Sequence, residues 1–178
     1  MKLIILDRDG VINHDRKDFV KSADEWIALP GSLAAIARLS QAGWKVVVAS
    51  NQSGIARGLF DMAALTAMHN KLRKELAALG GAVDAFFLCP HGPDDGCVCR
   101  KPLPGLFHDI ARRYDVSLDG VPAVGDSLRD LQASVQAGCR PWLVRTGNGE
   151  KTAASPDLPP DTEIRGDLAA VVDSLLEA

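Results

Sequence analysis

The chain has 178 residues, 47% of them apolar and 24% charged, and its 20 Lys and Arg against 23 Asp and Glu leave a net charge of −3. That length predicts one domain over residues 1–178, large enough to bury a real core. The acidic balance speaks against broad nucleic-acid binding, which needs a basic face. No apolar run reaches membrane-spanning length and the first residues enter a strand directly, so a cytoplasmic protein with no membrane partner is expected.

Strand and helix signals alternate along the chain. Lys2 to Leu6 is a short apolar strand that runs into Asp7-Arg8-Asp9-Gly10. Ser32 to Ala42 reads as a helix, with Leu33, Ile36 and Leu39 on one side and Gly43 as its stop. Lys45 to Ala49 is β-branched and continuous, as a strand buried on both faces should be. Asp61 is the expected N-cap of a long helix whose apolar stripe runs Leu65, Met68, Leu72, Leu76 and Leu79. A strand at Ala85–Leu88 leads into a Gly- and Cys-rich loop over Cys89–Lys101. Pro104 then opens a helix carrying Leu106, Phe107, Ile110 and Tyr114.

A strand at Val121–Val124, a helix near Leu128–Ala137 and a strand at Trp142–Val144 continue the repeat. Gly147 to Pro160 reads as an exposed loop, Thr162–Ile164 as a short edge strand, and Asp167 as the cap of a last helix. Regular βα alternation predicts an α/β fold: a mostly parallel sheet covered on both faces, with ligands at the carboxyl ends of its strands.

Those strand ends carry the chemistry. The first ends in Asp7, the second in Ser50-Asn51-Gln52 and the fourth in Gly125-Asp126-Ser127, while Lys101 precedes the helix leading to the fourth. Singly, each is as well explained as a turn, a cap or a solvated charge. Together and in order they resemble the haloacid dehalogenase (HAD) superfamily of phosphohydrolases. The matching segments are I-L-D-R-D-G, Ser50, Lys101 and G-D-S-L-R-D from Gly125 to Asp130.

The resemblance implies a Rossmann-like three-layer core and a magnesium-dependent phosphatase. A phosphomonoester dianion repels an anionic nucleophile, so a divalent cation must neutralise both, and magnesium prefers oxygen ligands. Asp7 and Asp126 would supply carboxylates and, by the family's pattern, Asp9 its backbone carbonyl. Asp7 would form an aspartyl-phosphate, and Asp9 would protonate the leaving alkoxide and then activate water, holding a proton near neutral pH. Ser50, the backbone at Asn51 and the Lys101 ammonium would stabilise the transferring phosphoryl oxygens. Asp130, one turn on from Asp126, is expected to hold Lys101 or the loop rather than touch substrate.

A second constellation is Cys89, His91, Cys97 and Cys99, a closed donor set of the composition expected for structural zinc, with reduced thiols as the alternative. Cys139 stands apart and reads as a small core residue, and His14, His69 and His108 as surface or packing residues.

The Cys89–Cys99 loop followed by Arg100-Lys101-Pro102, with D-R-D-G-V-I-N and S-N-Q-S-G-I-A-R-G, is similar to one subfamily along the whole chain. That subfamily comprises the D-glycero-D-manno-heptose-1,7-bisphosphate phosphatases and the histidinol-phosphate phosphatases. It implies a core with no large cap domain, acting as a monomer on a small sugar phosphate, in the pathway to nucleotide-activated heptose for lipopolysaccharide or other surface glycans. A second phosphate calls for extra cations, and Arg57 and Arg100 are the candidates. The free-standing chain favours the heptose substrate over histidinol phosphate. Val11 where the superfamily often has Thr, and His14–Phe19 without the expected Gly-Tyr, depart from the pattern. A receiver-like module that holds phosphate on Asp7, and a DNA-end phosphatase, are the alternatives from other classes.

Overall fold

The computed structural model describes residues 1–178. Six strands are β1 (Leu3–Leu6), β2 (Lys45–Asn51), β3 (Ala85–Cys89), β4 (Pro122–Gly125), β5 (Arg140–Val144) and β6 (Glu163–Arg165). Six helices are α1 (Ser32–Gln41), α2 (Met62–Ala77), α3 (Gly105–Tyr114), α4 (Leu128–Gln136), α5 (Gly149–Ala153) and α6 (Leu168–Leu176). The strands pair in the order β3-β2-β1-β4-β5-β6, all parallel. The chain therefore winds outward from β1 in one direction and resumes at β4 on the other side, which places a switch point between β1 and β4. In open parallel sheets ligands bind in the crevice beyond the carboxyl ends at that point.

Helices cover both faces, so the strands are apolar without interruption. Ile4 and Leu6 of β1 join α1, α2 and α6 in one core of 25 buried residues, while Leu3 and Ile5 join α3 and Ala133 of α4 in a second of 12. All four β1 side chains are buried, each contributing roughly 1.5–3 kcal/mol of transfer free energy. This rigid central strand holds Asp7, whose N–H donates to the Val124 carbonyl at 2.9 Å and so ties it to β4. No cap module interrupts the layers.

The predicted elements recur within one to three residues, with differences that have local causes. Pro104 is the N-cap of α3 rather than its first turn, and Ser127, not Asp126, caps α4 through a reciprocal pair with Asp130. Leu79 lies beyond the end of α2 and is 49% exposed, so it drops out of the apolar stripe. The exposed loop expected over Gly147–Pro160 is in part wrong: α5 interrupts it, and Gly149 and Thr152 are buried. Hydrogen bonds rather than apolar contacts bury it, with Thr152 Oγ1 donating to the Asp126 carbonyl at 2.7 Å.

Candidate active site

Three carboxylates converge at the β1/β4 switch point. Ligand oxygens of Asp7, Asp126 and Asp130 lie within 4.8 Å of one another. Gly10 and Gly147 make the approach possible: both have positive φ, and a Cβ on either would collide with the Asp126 carboxylate. Asn148 closes the cradle, its N–H donating to Asp126 Oδ2 at 2.9 Å. Burial first, and then the neighbouring acids, hold Asp7 and Asp126 well above the ordinary carboxylate range. That excess of negative charge, offered by oxygen donors alone, fits a hard divalent cation.

Lys101 is 2% exposed and lies between two of these acids, with Nζ 3.1 Å from Asp7 Oδ1 and 2.9 Å from Asp130 Oδ1. Asn51 fixes its backbone from both sides: Asn51 Nδ2 donates to the Lys101 carbonyl at 3.1 Å, and the Lys101 N–H donates to Asn51 Oδ1 at 3.0 Å. The Asn51 side chain thus positions the lysine. Ser50 is 1% exposed, and its hydroxyl accepts from Gln52 Nε2 at 2.8 Å.

Asp9 sits beside this cluster, not within it. Its Oδ1 accepts from Arg8 Nε at 2.9 Å, Arg8 Nη2 at 2.7 Å and Asn13 Nδ2 at 2.9 Å, and its Oδ2 from Gln52 Nε2 at 3.1 Å. Burial pushes this carboxyl up, but the Arg8 guanidinium and the hydrogen bonds from Asn13, Arg8 and Gln52 outweigh it and hold the group below its ordinary range. Arg8 against Asp9 thus opposes the proton expected there at neutral pH.

These groups open into a cavity of about 490 Å³ lined by Asp7, Asp9, Asn51, Arg57, Arg100 and Asp126. Ser50 and Lys101 stand behind that lining. Arg57 lies over the Phe19 ring, 5.5 Å from its centroid, and Arg100 donates weakly to the His91 carbonyl. Arg129 joins them on the cavity wall, and none of the three has a carboxylate within ion-pair distance. Burial and then the neighbouring charge of Arg129 lower the pKa of Arg100. Unpaired guanidiniums crowded in a cleft form an anion site.

In the loop after β3, the ligand atoms of Cys89, His91, Cys97 and Cys99 gather within 4.8 Å. Cys89 Sγ is 3.5 Å from His91 Nδ1 and 3.7 Å from Cys97 Sγ, and His91 Nδ1 is 3.3 Å from Cys99 Sγ. Those spacings are near the roughly 3.8 Å edge of a tetrahedron with 2.3 Å zinc–sulfur bonds. Cys89 and Cys99 are closer, at 2.7 Å. Three thiols and an imidazole fit zinc. Cys139, 6% exposed, packs in the second core as expected.

A family model described as polynucleotide kinase 3 phosphatase matches residues 2–128, and one described as HAD-hydrolase-like matches residues 98–178. The chain is 71% identical over 99% of both sequences to a D-glycero-beta-D-manno-heptose-1,7-bisphosphate 7-phosphatase from Bordetella bronchiseptica. It is 57% identical, over 98% of each, to the protein of that name from Pseudomonas aeruginosa. The chain belongs to the D-glycero-D-manno-heptose-1,7-bisphosphate 7-phosphatase family of the HAD superfamily. The crystal structure of the B. bronchiseptica D,D-heptose 1,7-bisphosphate phosphatase, complexed with magnesium and phosphate, superposes with a TM-score of 0.98 over 99% of both chains. That from Burkholderia thailandensis, at 50% identity, gives 0.80 over the whole of each chain. Membership of a phosphatase family makes this chain an enzyme and sets the receiver-like alternative aside.

Several residues at the site have no signal in the sequence that points to their place there. Arg8 and Gln52 lie inside motifs already singled out, but nothing in their spacing showed that they turn inward onto Asp9. Arg129 has no signal apart from its place in the first turn after Asp126. Asn148 falls in a Gly-, Pro- and Ser-rich stretch whose composition reads as an exposed loop.

Proposed function

We propose that this chain removes the C7 phosphate of D-glycero-β-D-manno-heptose 1,7-bisphosphate in a magnesium-dependent reaction. The relatives' names supply the β anomer. The observation that carries the reading is the Asp7–Asp126 oxygen cluster against Lys101, in one cavity with the unpaired Arg57, Arg100 and Arg129. One end suits a reacting phosphate and the other cations suit a second.

Asp7, Asp126 and the Asp9 backbone carbonyl are the groups that would hold magnesium, which there supplies charge neutralisation between nucleophile and phosphate dianion. Asp7 attacks phosphorus and the phosphorus–oxygen bond to the sugar breaks, leaving an aspartyl-phosphate. Asp9 gives the departing alkoxide its proton and then takes one from the water that cleaves the intermediate. In the free site Arg8 favours the ionised form of Asp9. Lys101 and the Ser50 hydroxyl stabilise the phosphoryl oxygens, and Arg57 and Arg100 hold the C1 phosphate. Asp130 and Asn51 keep Lys101 in position.

Cys89, His91, Cys97 and Cys99 would hold zinc, which would stiffen the segment that carries Arg100 and Lys101. We read residues 1–178 as one domain, acting as a cytoplasmic monomer that supplies nucleotide-activated heptose for lipopolysaccharide or related glycans. The test is phosphate release from heptose bisphosphate, histidinol phosphate and a 3′-phosphorylated DNA nick, with the remaining sugar phosphate located by phosphorus NMR. Release from C7 alone, dependent on magnesium, is expected. Preference for histidinol phosphate or DNA contradicts the substrate.

A further inference from the structure

Arg8, the residue between the two acids, is completely buried, and Asp9 is its one ion-pair partner. Its remaining nitrogen, Nη1, meets α2 at Met68 Sδ (3.6 Å) and His69 Nε2 (3.3 Å). His69 is 5% exposed and lies flat on the Phe86 ring, with centroids 4.0 Å apart and planes 13° from parallel. Burial, and then the charges of Arg8 and Arg73, push its pKa down to about 3, so the imidazole is neutral. A neutral imidazole facing a guanidinium N–H accepts on Nε2, which leaves its proton on Nδ1.

The two oxygens of Asp9 are unequal. Oδ1 takes three donors, two from Arg8 and one from Asn13, whereas Oδ2 takes only Gln52 Nε2 and keeps a lone pair free. A buried Arg–carboxylate pair adds little net stability compared with apolar packing. What it secures here is the direction in which the carboxylate points.

We propose that Arg8 and His69 are positioning residues for proton transfer, with Phe86, His69 and Arg8 in series locking Asp9 Oδ1 so that Oδ2 is the working oxygen. The proton on Oδ2 passes to the ester oxygen as its bond to phosphorus breaks. In the second step Oδ2 takes a proton from the water whose oxygen attacks phosphorus, as the bond from phosphorus to the Asp7 oxygen breaks and phosphate leaves. The inference rests on the reading of Asp9 as the acid–base group.

The test compares kcat/KM, which reports steps up to loss of the leaving group, for the sugar bisphosphate and for p-nitrophenyl phosphate, whose phenolate departs without a proton. His69→Leu removes the acceptor beside Arg8, and His69→Gln restores one. In His69→Leu, kcat/KM for the sugar substrate is expected to fall about tenfold or more and that for the aryl ester by less than about threefold. His69→Gln recovers most of the loss. An equal fall on both substrates, a fall that His69→Gln does not recover, or no fall on either overturns the proposal. Arg8→Met is expected to show the same split more strongly; if it does not fold, the His69 pair decides alone. Asp9→Asn separates the two levels. If it shows the split and His69→Leu does not, the positioning inference fails; if it shows none, the acid–base reading itself fails.

Discussion

Lys101 and Asp7, 94 residues apart in sequence, meet at 3.1 Å between Nζ and Oδ1. Asp130 takes the same ammonium at 2.9 Å, so Asp7 shares its one cation with an acid from α4. Burial lowers the Lys101 pKa, but Asp130 and then Asp7 more than restore it, and the lysine stays charged. Asp130 is raised by burial and more strongly lowered by Lys101 and the Ser127 hydrogen bond, so it remains ionised as the lysine's anchor.

Removing either end of that pair should separate catalysis from anchoring. Lys101→Met is expected to lower kcat by about 10²–10³, the scale of losing a preorganised donor to the transition state. Asp130→Asn should cost about 1–3 kcal/mol in urea unfolding and a smaller part of kcat, since Asp7 still holds the ammonium. Equal losses of kcat in the two variants would contradict the division of roles.

Magnesium binding should be coupled to proton release. In the metal-free protein burial and neighbouring acids raise Asp7 to about 7 and Asp126 to about 8. Folded pKa values above the unfolded ones mean that the native state binds the extra protons. Their stabilising effect is present at low pH and is lost as pH rises through that window. Magnesium must displace those protons, so the rise in Tm it produces should be small near about pH 6 and large near about pH 8.5. Taking the difference with and without metal cancels the opposite trend of His69. An increment independent of pH would contradict the assignment of ligands.

Arg57→Ala and Arg100→Ala test the second-phosphate end. Each is expected to raise KM for the bisphosphate about tenfold while changing kcat little, as loss of uniform binding does. A substrate with one phosphate should be almost indifferent to both changes. A matching rise in its KM would place these arginines at the reacting phosphate instead.

The zinc reading makes a stoichiometric prediction. The purified protein should carry about one zinc per chain, and Cys99→Ser should lower that content sharply along with Tm. Full stability without zinc would assign the three cysteines to reduced thiols.

Much of this was legible because the motifs fall where the chain's own periodicity puts strand ends. Asp7, Ser50 and Asp126 follow three apolar runs that can only be buried strands, so their convergence follows from the sheet. Asp130 as the holder of Lys101 follows from helical spacing, one turn after Asp126. The rest depended on contacts that leave no pattern. Arg8 looks like a surface arginine until β1 and α2 close over it, and its guanidinium lowers the pKa of Asp9. Asn148 and Thr152 sit in a polar stretch tied down by hydrogen bonds to Asp126, which hydropathy does not register.

The central claim is that Asp7 itself accepts the phosphoryl group. Acid-quenched enzyme taken during turnover can be reduced with borohydride, which converts an aspartyl-phosphate to homoserine, and the peptide carrying position 7 analysed by mass spectrometry. The account predicts homoserine at position 7 only when substrate and magnesium were both present. Absence of reduction at position 7 during rapid turnover, or its appearance at position 9 or 126, would contradict it.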